Sequence, residues 1–179
     1  MARTFTVDIM SKSSIENLIK DLTQYRDDFN ARIKVFVRRL TRIAVEEIEK
    51  DINRAGITVD ANGIESGSQT EHKVVERYTD GVTYSKSKII VSGKEIMFIE
   101  FGAGVYYNAS PSPHPKGEEF GFVIGSYGKG YGLRQVWGYY GDDGELHLTH
   151  GVKATMPLYN AVQRLYCEAP AIAKEVFGG

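Results

Sequence analysis

Phe29, Ile33, Phe36, Val37, Leu40, Ile43 and Ala44 fall on one side of a helix drawn at about 100° per residue. Lys34, Arg38, Arg39 and Arg42 fall on the other, and the acids Glu46, Glu47, Glu49 and Asp51 follow. The pattern predicts a long helix from just after Tyr25 to about Arg54, stopping before Gly56. A helix of that length with one apolar side folds only if other elements cover it, so it sets the layout of the chain.

The rest of the chain supplies such elements. Phe5, Val7 and Ile9 alternate with polar residues and predict a short strand. Ser13 or Ser14 is the expected cap of a first helix carrying Ile15, Leu18, Ile19 and Leu22. Residues 56–72 read as a loop with a short strand at Ile57-Thr58-Val59. Lys73 to Thr79 and Val82 to Ser92 read as strands about an Asp80-Gly81 turn, with a polar interruption from Ser85 to Lys88. Glu95 to Phe101 is expected to be a short buried helix with Gly102 as its stop. Leu133 to Tyr140, the Asp142-Asp143-Gly144 turn and Glu145 to His150 predict a hairpin. Pro157 suits the first position of a last helix, whose stripe of Leu158, Ala161, Val162, Leu165, Ala169, Ile172, Ala173 and Val176 crosses Pro170. A kink is expected at that proline. The fold class is α+β: a mainly antiparallel sheet packed by a long N-terminal helix and a C-terminal helix, in one domain spanning 1–179. Residues 102–132, rich in Gly and Tyr, form a long loop expected to serve protein–protein contact.

The bulk numbers narrow the function classes. A net charge of −1 supplies no global field toward nucleic acid or anionic membrane. No apolar run reaches the roughly 18 to 20 residues that span a bilayer. The first residues lack the continuous apolar core of a signal peptide. Cys167 is alone, which points to a reducing compartment such as a cytoplasm.

Candidate chemistry is sparse. His147 and His150, beside Glu145, are the best metal ligands, yet strand residues three apart point to opposite faces and a third ligand is lacking. No metal, cofactor or catalytic residue is therefore assigned. A hydrolase using Glu100, His147 and His150 is kept as a rival, as is a nucleic-acid module using the basic helix face. Gly125 to Gly132 lacks P-loop spacing and opens no helix. For Arg38, Arg42 and their neighbours the preferred expectation is pairing with Glu46, Glu47 and Glu49 of an adjacent subunit. The alternative is non-specific contact with DNA in a channel.

Five short segments carry a resemblance. They are Ile99-Glu100-Phe101-Gly102-Ala103-Gly104, Pro113-His114-Pro115, Trp137-Gly138-Tyr139, Asp142-Asp143-Gly144 and Gly151-Val152-Lys153-Ala154-Thr155-Met156-Pro157. In this order the chain resembles the minor tail-component, or tail-completion, proteins of long-tailed bacteriophages over about residues 90–165. Ala103 stands where Thr is usual in that family, and Leu158 where an aromatic is common. The resemblance implies a virion protein, made in the host cytoplasm, that completes the head-proximal end of the tail. It also implies a homo-oligomeric ring, six-fold by analogy with tail tubes, in contact with tail-tube and neck proteins, and no enzymatic activity. A head-side connector or stopper of the neck is the alternative within the class. The residues expected at interfaces are Arg38, Arg42, Glu100, Phe101, Gly102, Tyr106, Tyr107, Trp137 and Pro157.

Overall fold

Residues 12–53 contain neither Gly nor Pro, and nothing in them breaks an i→i−4 ladder. In the computed structural model, which describes residues 4–68, 71–108, 112–123 and 134–178, they form one helix, α1 (Lys12–Asn53). The expected division near Tyr25 is absent because no residue there terminates a helix. The cap is Ser11, two or three positions earlier than expected; its hydroxyl accepts the Ser14 amide at 3.3 Å. At about 1.5 Å per residue α1 is about 63 Å long.

The remaining elements are β1 (Thr58–Val59), β2 (Glu65–Ser66), β3 (Lys73–Asp80), β4 (Ser85–Ser92), α2 (Ile96–Phe101), β5 (Trp137–Tyr140), β6 (Leu146–Thr149) and α3 (Pro157–Phe177). The architecture is α+β, with two separate sheets. One has four strands in the order β1-β2-β6-β5, antiparallel except for the β2–β6 pair. The other is the antiparallel β3–β4 hairpin, in register from Lys73 opposite Ser92 to Asp80 opposite Ser85. The Ser85–Lys88 run is thus part of the strand, and the connection is residues 81–84, closed by the Gly81 amide on the Tyr84 carbonyl at 2.8 Å. Polar residues are tolerated there because the hairpin packs Val74, Ile89 and Val91 on the core while its other face meets water.

Helix α3 runs antiparallel to α1. Asn160 bonds Asp51, Arg164 bonds Glu47, Arg39 bonds Glu175, and Phe177 reaches Phe36 and Phe29 with ring centroids 5.7 and 5.5 Å away. It continues through Pro170 to Phe177. The core lies where α1, α2, α3 and the hairpin meet: Ala44, Ile48, Ile52, Ala55, Ile96, Ile99, Val152 and Ala161. The cover that α3 and the β3–β4 hairpin give α1 stops near Phe29 and Asn30, where α3 ends and the hairpin connection bonds through the Val82 carbonyl.

Residues 4–8 join neither sheet, contrary to the strand expected from Phe5, Val7 and Ile9. They run beside the first turns of α1, and Phe5 packs edge-on against Tyr25 at 5.9 Å. The β3–β4 hairpin reaches this half of α1 with its connection, at Asn30, and presents no strand edge that residues 4–8 pair with. Leu133, expected to open β5, and the Gly125–Gly132 run with Tyr127 and Tyr131 lie outside the described residues. Among the described residues, no helix is long and apolar enough to cross a membrane.

Candidate functional site: a junction of the sequence motifs

Helix α3 begins with an unmet need. Its cap position is Met156, in the left-handed conformation (φ 55°), whose side chain offers no acceptor to the first amides. Pro157 at the first helical position removes one of those donors. The next two, Leu158 N and Tyr159 N, donate to Glu100 Oε2 and Oε1 at 2.8 and 3.0 Å. Glu100, buried at 3% exposure on α2, therefore caps α3 from a different element. A carboxylate there also meets the positive end of the helix dipole.

The same Oε1 lies 3.0 Å from His114 Nε2, and both side chains are buried. His114 in turn accepts the Lys116 amide through Nδ1 at 3.0 Å, which leaves Nε2 to carry the proton toward Glu100. Its ring packs on Phe101 at 4.5 Å and edge-on to Tyr159 at 5.3 Å. Phe101 is stacked on Phe122 at 4.0 Å with rings 2° from parallel. The described part of the long loop, residues 112–123, is thus folded onto the body through His114 and Phe122.

Gly102 closes α2 with φ +83°, and its amide bonds the Phe98 carbonyl at 2.7 Å. A Cβ there would lie 2.6 Å from the Asn108 side chain, so both conformation and space require glycine. Asn108, 2% exposed, donates to the Val152 carbonyl at 2.6 Å and accepts the Ala154 amide at 3.1 Å. Ala103 and Val152 exchange two backbone bonds of 2.8 Å, and the Thr155 amide bonds the Ile99 carbonyl at 3.0 Å. Gly151, at φ +92°, admits the close approach; a Cβ on it would stand 2.1 Å from the Ala103 carbonyl oxygen.

Four of the expected interface residues, Glu100, Phe101, Gly102 and Pro157, are therefore brought together here, and all four are buried. Three others form a half-exposed aromatic rim. Tyr106 stacks on His150 at 4.1 Å and meets Tyr107 edge-on at 4.7 Å; Tyr107 donates to Ser66 Oγ at 3.1 Å. The Trp137 indole nitrogen lies 3.3 Å from where a Gly104 Cβ would be. Asn108, which ties two motifs together, carries no sequence signal, being one amide in a Gly-rich loop.

Arg38 and Arg42 lie elsewhere, in a groove between α1 and the hairpin with Val35, Ile43, Glu76 and Tyr78. Arg38 meets Asp80 at 3.6 Å and lies over the Tyr78 ring, Arg39 meets Glu175 at 2.6 Å, and Arg42 meets Glu46 at 3.3 Å. Glu46, Glu47 and Glu49, expected to serve a neighbouring subunit, each have a partner within the chain. Glu46 is engaged by Arg42, Glu47 is buried between Lys50 and Arg164, and Glu49 faces His72 at 2.6 Å. The hydrogen bond from Lys50, with help from Arg164, holds the Glu47 carboxyl below its ordinary pKa.

The histidines of the second hairpin fall into two clusters. His147 lies between Glu65 (Nδ1 to Oε1, 3.0 Å) and Asp143 (Nε2 to Oδ2, 3.0 Å), and the Tyr139 hydroxyl donates to Glu65 at 3.1 Å. Those two carboxylates, Glu65 first, raise the His147 pKa. His150 instead lies near Asp60 (3.4 Å) and the Gln135 carbonyl (3.3 Å). Glu100, His147 and His150 thus have separate partners and do not assemble into one site. Among the described residues no group of three or more His, Cys, Asp or Glu is placed to hold a metal ion. No family model, curated protein or solved structure matches the chain.

Proposed function

We propose that the protein is a structural subunit of a bacteriophage virion, a ring component that completes the head-proximal end of the tail and joins it to the head. The observation that carries the reading is the junction itself. Segments that resemble tail-completion proteins at residues 99–104, 113–115 and 151–157 are far apart in sequence yet meet around Glu100 and Asn108. Three independent accidents of sequence would have no reason to converge on one buried node. The chemistry of the node suits a scaffold, because both Glu100 oxygens are committed to backbone amides and His114, away from water. A general acid or base needs an open position beside its proton, and this carboxylate has none.

On this reading the work is geometric. The junction fixes α2, α3 and residues 112–123 relative to one another and holds out Tyr106, Tyr107 and Trp137, aromatics of the kind that anchor protein interfaces. The test is genetic and visual. A nonsense allele in the phage that encodes the protein should yield filled heads and finished tails that fail to join, with joining restored by adding the purified protein. Labelled protein should map to the head-proximal tail end in electron micrographs. Joined, infectious particles lacking the protein would sink the proposal.

A further inference from the structure

The apolar stripe of α1 does not stop where its cover stops. Ile15, Leu18, Ile19, Leu22 and Tyr25 continue, at helical spacing, the same face that carries Phe29, Phe36 and Leu40 against α3. Beyond Phe29, among the described residues, Phe5 packs on that face at Tyr25, and Ile19, Leu22 and Phe29 remain 59%, 45% and 46% exposed. This arm, Lys12 to Asp28, is about 26 Å long at about 1.5 Å per residue. A second stripe, left open by the described residues, lies on the outer side of α3: Leu158, Val162 and Tyr166, the last 74% exposed, continued by the half-buried Ala169 and Ala173. It is about 24 Å long by the same rise.

We propose that the arm of each subunit docks on the outer α3 stripe of a second copy of this chain, making the head-to-tail contact of the ring; the inference rests on the ring reading above. Two features oppose arm-to-arm pairing. In a parallel pair the second α1 would run into the first subunit's own α3, which occupies that face from Phe29 onward. In an antiparallel pair like edges face each other, and the two edges of the arm differ in charge. Asp21 and Asp28 flank the stripe on one side, while on the other Lys12 pairs with Glu16 and Arg26 with Asp27, so along the first edge acid would meet acid. The outer margin of α3 carries the uncharged Gln163 and Cys167 and the basic Lys174, so no acid there repels Asp21 and Asp28, and the one charge is opposite to theirs. Two different patches on one chain are what a heterologous interface requires, and such an interface closes into a ring when its rotation allows. A strip of this size buries on the order of 500–1,000 Å² counting both sides, less than the about 1,200 Å² of a specific stable pair. Association is therefore weak pairwise and cooperative on closure.

Cysteine trapping tests this on the full-length protein. In a Cys167→Ser background, Leu22→Cys combined with Tyr166→Cys should give a disulfide ladder of dimer, trimer and larger species under mild oxidation at high protein concentration. Either substitution alone should stay monomeric, and the two single variants mixed should stop at a dimer. Ile19→Cys with Val162→Cys is the second pair, and Val82→Cys at the hairpin connection is the control expected not to crosslink. Circular dichroism and the melting temperature check that each variant is folded. A covalent dimer from Leu22→Cys alone would overturn the proposal in favour of arm-to-arm pairing. The absence of any ladder from both folded double variants would overturn it in favour of a different protein on the arm. A ladder from a protein that virions lack would leave the docking standing and remove the phage reading instead.

Discussion

Replacing Glu100 by Ala separates a scaffold from a catalyst in one measurement. The substitution leaves Leu158 N, Tyr159 N and His114 Nε2 without their acceptor, each now 2.8–3.0 Å from a carboxylate oxygen. A buried donor without a partner costs about 1–3 kcal/mol, and loss of the charge at the α3 N-terminus adds about 0.5–1 kcal/mol. Water entering the vacated space recovers part of this, so the expected loss is about 3–5 kcal/mol. That is a large share of the roughly 5–15 kcal/mol that holds a domain together. At about 2–4 °C per kcal/mol for a chain of this size, the melting temperature should fall by roughly 10 °C. Urea unfolding at neutral pH measures the loss directly, and amide exchange should show Leu158 and Tyr159 losing protection first. Glu100→Gln keeps one acceptor oxygen but sets an NH₂ group against a donor, so it should fall between wild type and Ala. A carboxylate kept for acid–base chemistry behaves oppositely, since active sites store strain and removing their charge is commonly neutral or stabilising. A loss below about 1 kcal/mol, with exchange at the start of α3 unchanged, would refute the capping argument.

Gly151→Ala should cost about 2–3 kcal/mol by thermal or urea unfolding, because the added Cβ meets the Ala103 carbonyl oxygen at a positive φ. Gly63→Ala is its control, with the same sign of φ and nothing within 4 Å, and should cost only about 1 kcal/mol. His147 has its pKa raised in the folded protein, so the native state holds the extra proton; its contribution is complete below about pH 6.5 and disappears as pH rises through the folded value. His147→Ala should therefore destabilise clearly at pH 6 and much less at pH 9, read as urea midpoints. Asp143 and Asp60 run the other way: the Glu145 amide for the first and the Ile64 amide for the second hold them below their ordinary values. Their contribution is present above about pH 4 and is lost in acid. Arg38→Glu with Arg42→Glu should change stability by less than about 1 kcal/mol per site, since both ion pairs are surface contacts.

The sequence placed elements well wherever periodicity or a backbone requirement acted locally. The 29–44 stripe, the Ile96–Phe101 helix stopped by Gly102, the Asp142–Gly144 turn and the Pro157 start all appear in the structure, with strand ends differing by a few residues. It failed where the outcome depends on distant neighbours. Phe5, Val7 and Ile9 have the alternation of a strand, but a strand exists only beside another, and this segment lies along the first half of α1, where it pairs with no strand of either sheet. Ser85 to Lys88 looked like an interruption because alternation with long polar side chains was read as a break. Glu100 was singled out as an interface or catalytic candidate, yet its burial follows from a lack at Met156, which no local pattern announces.

The α1–α3 seam holds the most instructive miss. Glu47 and Asp51 stand in the sequence among the acids that follow the basic face, Glu47 with a partner expected in an adjacent subunit, and both are buried, Asp51 at 1% exposure. The same wheel that placed Phe29, Phe36 and Leu40 also places Glu47 and Asp51 on that face, and an acid on an apolar stripe demands a partner. The partners come from α3 and the local turn: Arg164 at 2.6 Å from Glu47, Asn160 at 2.7 Å and Arg54 at 3.0 Å from Asp51. Apolar contacts would hold α3 on α1 in several registers, since Leu, Ile and Ala slide past one another at modest cost. Two acids that must each meet a specific donor admit one register, because a shift of one turn would bury both charges unpaired. The register in turn sets where α3 ends against Phe29, and so how much of α1 is left as the bare arm. The acids buried in the seam thus fix the length of the surface left for a partner.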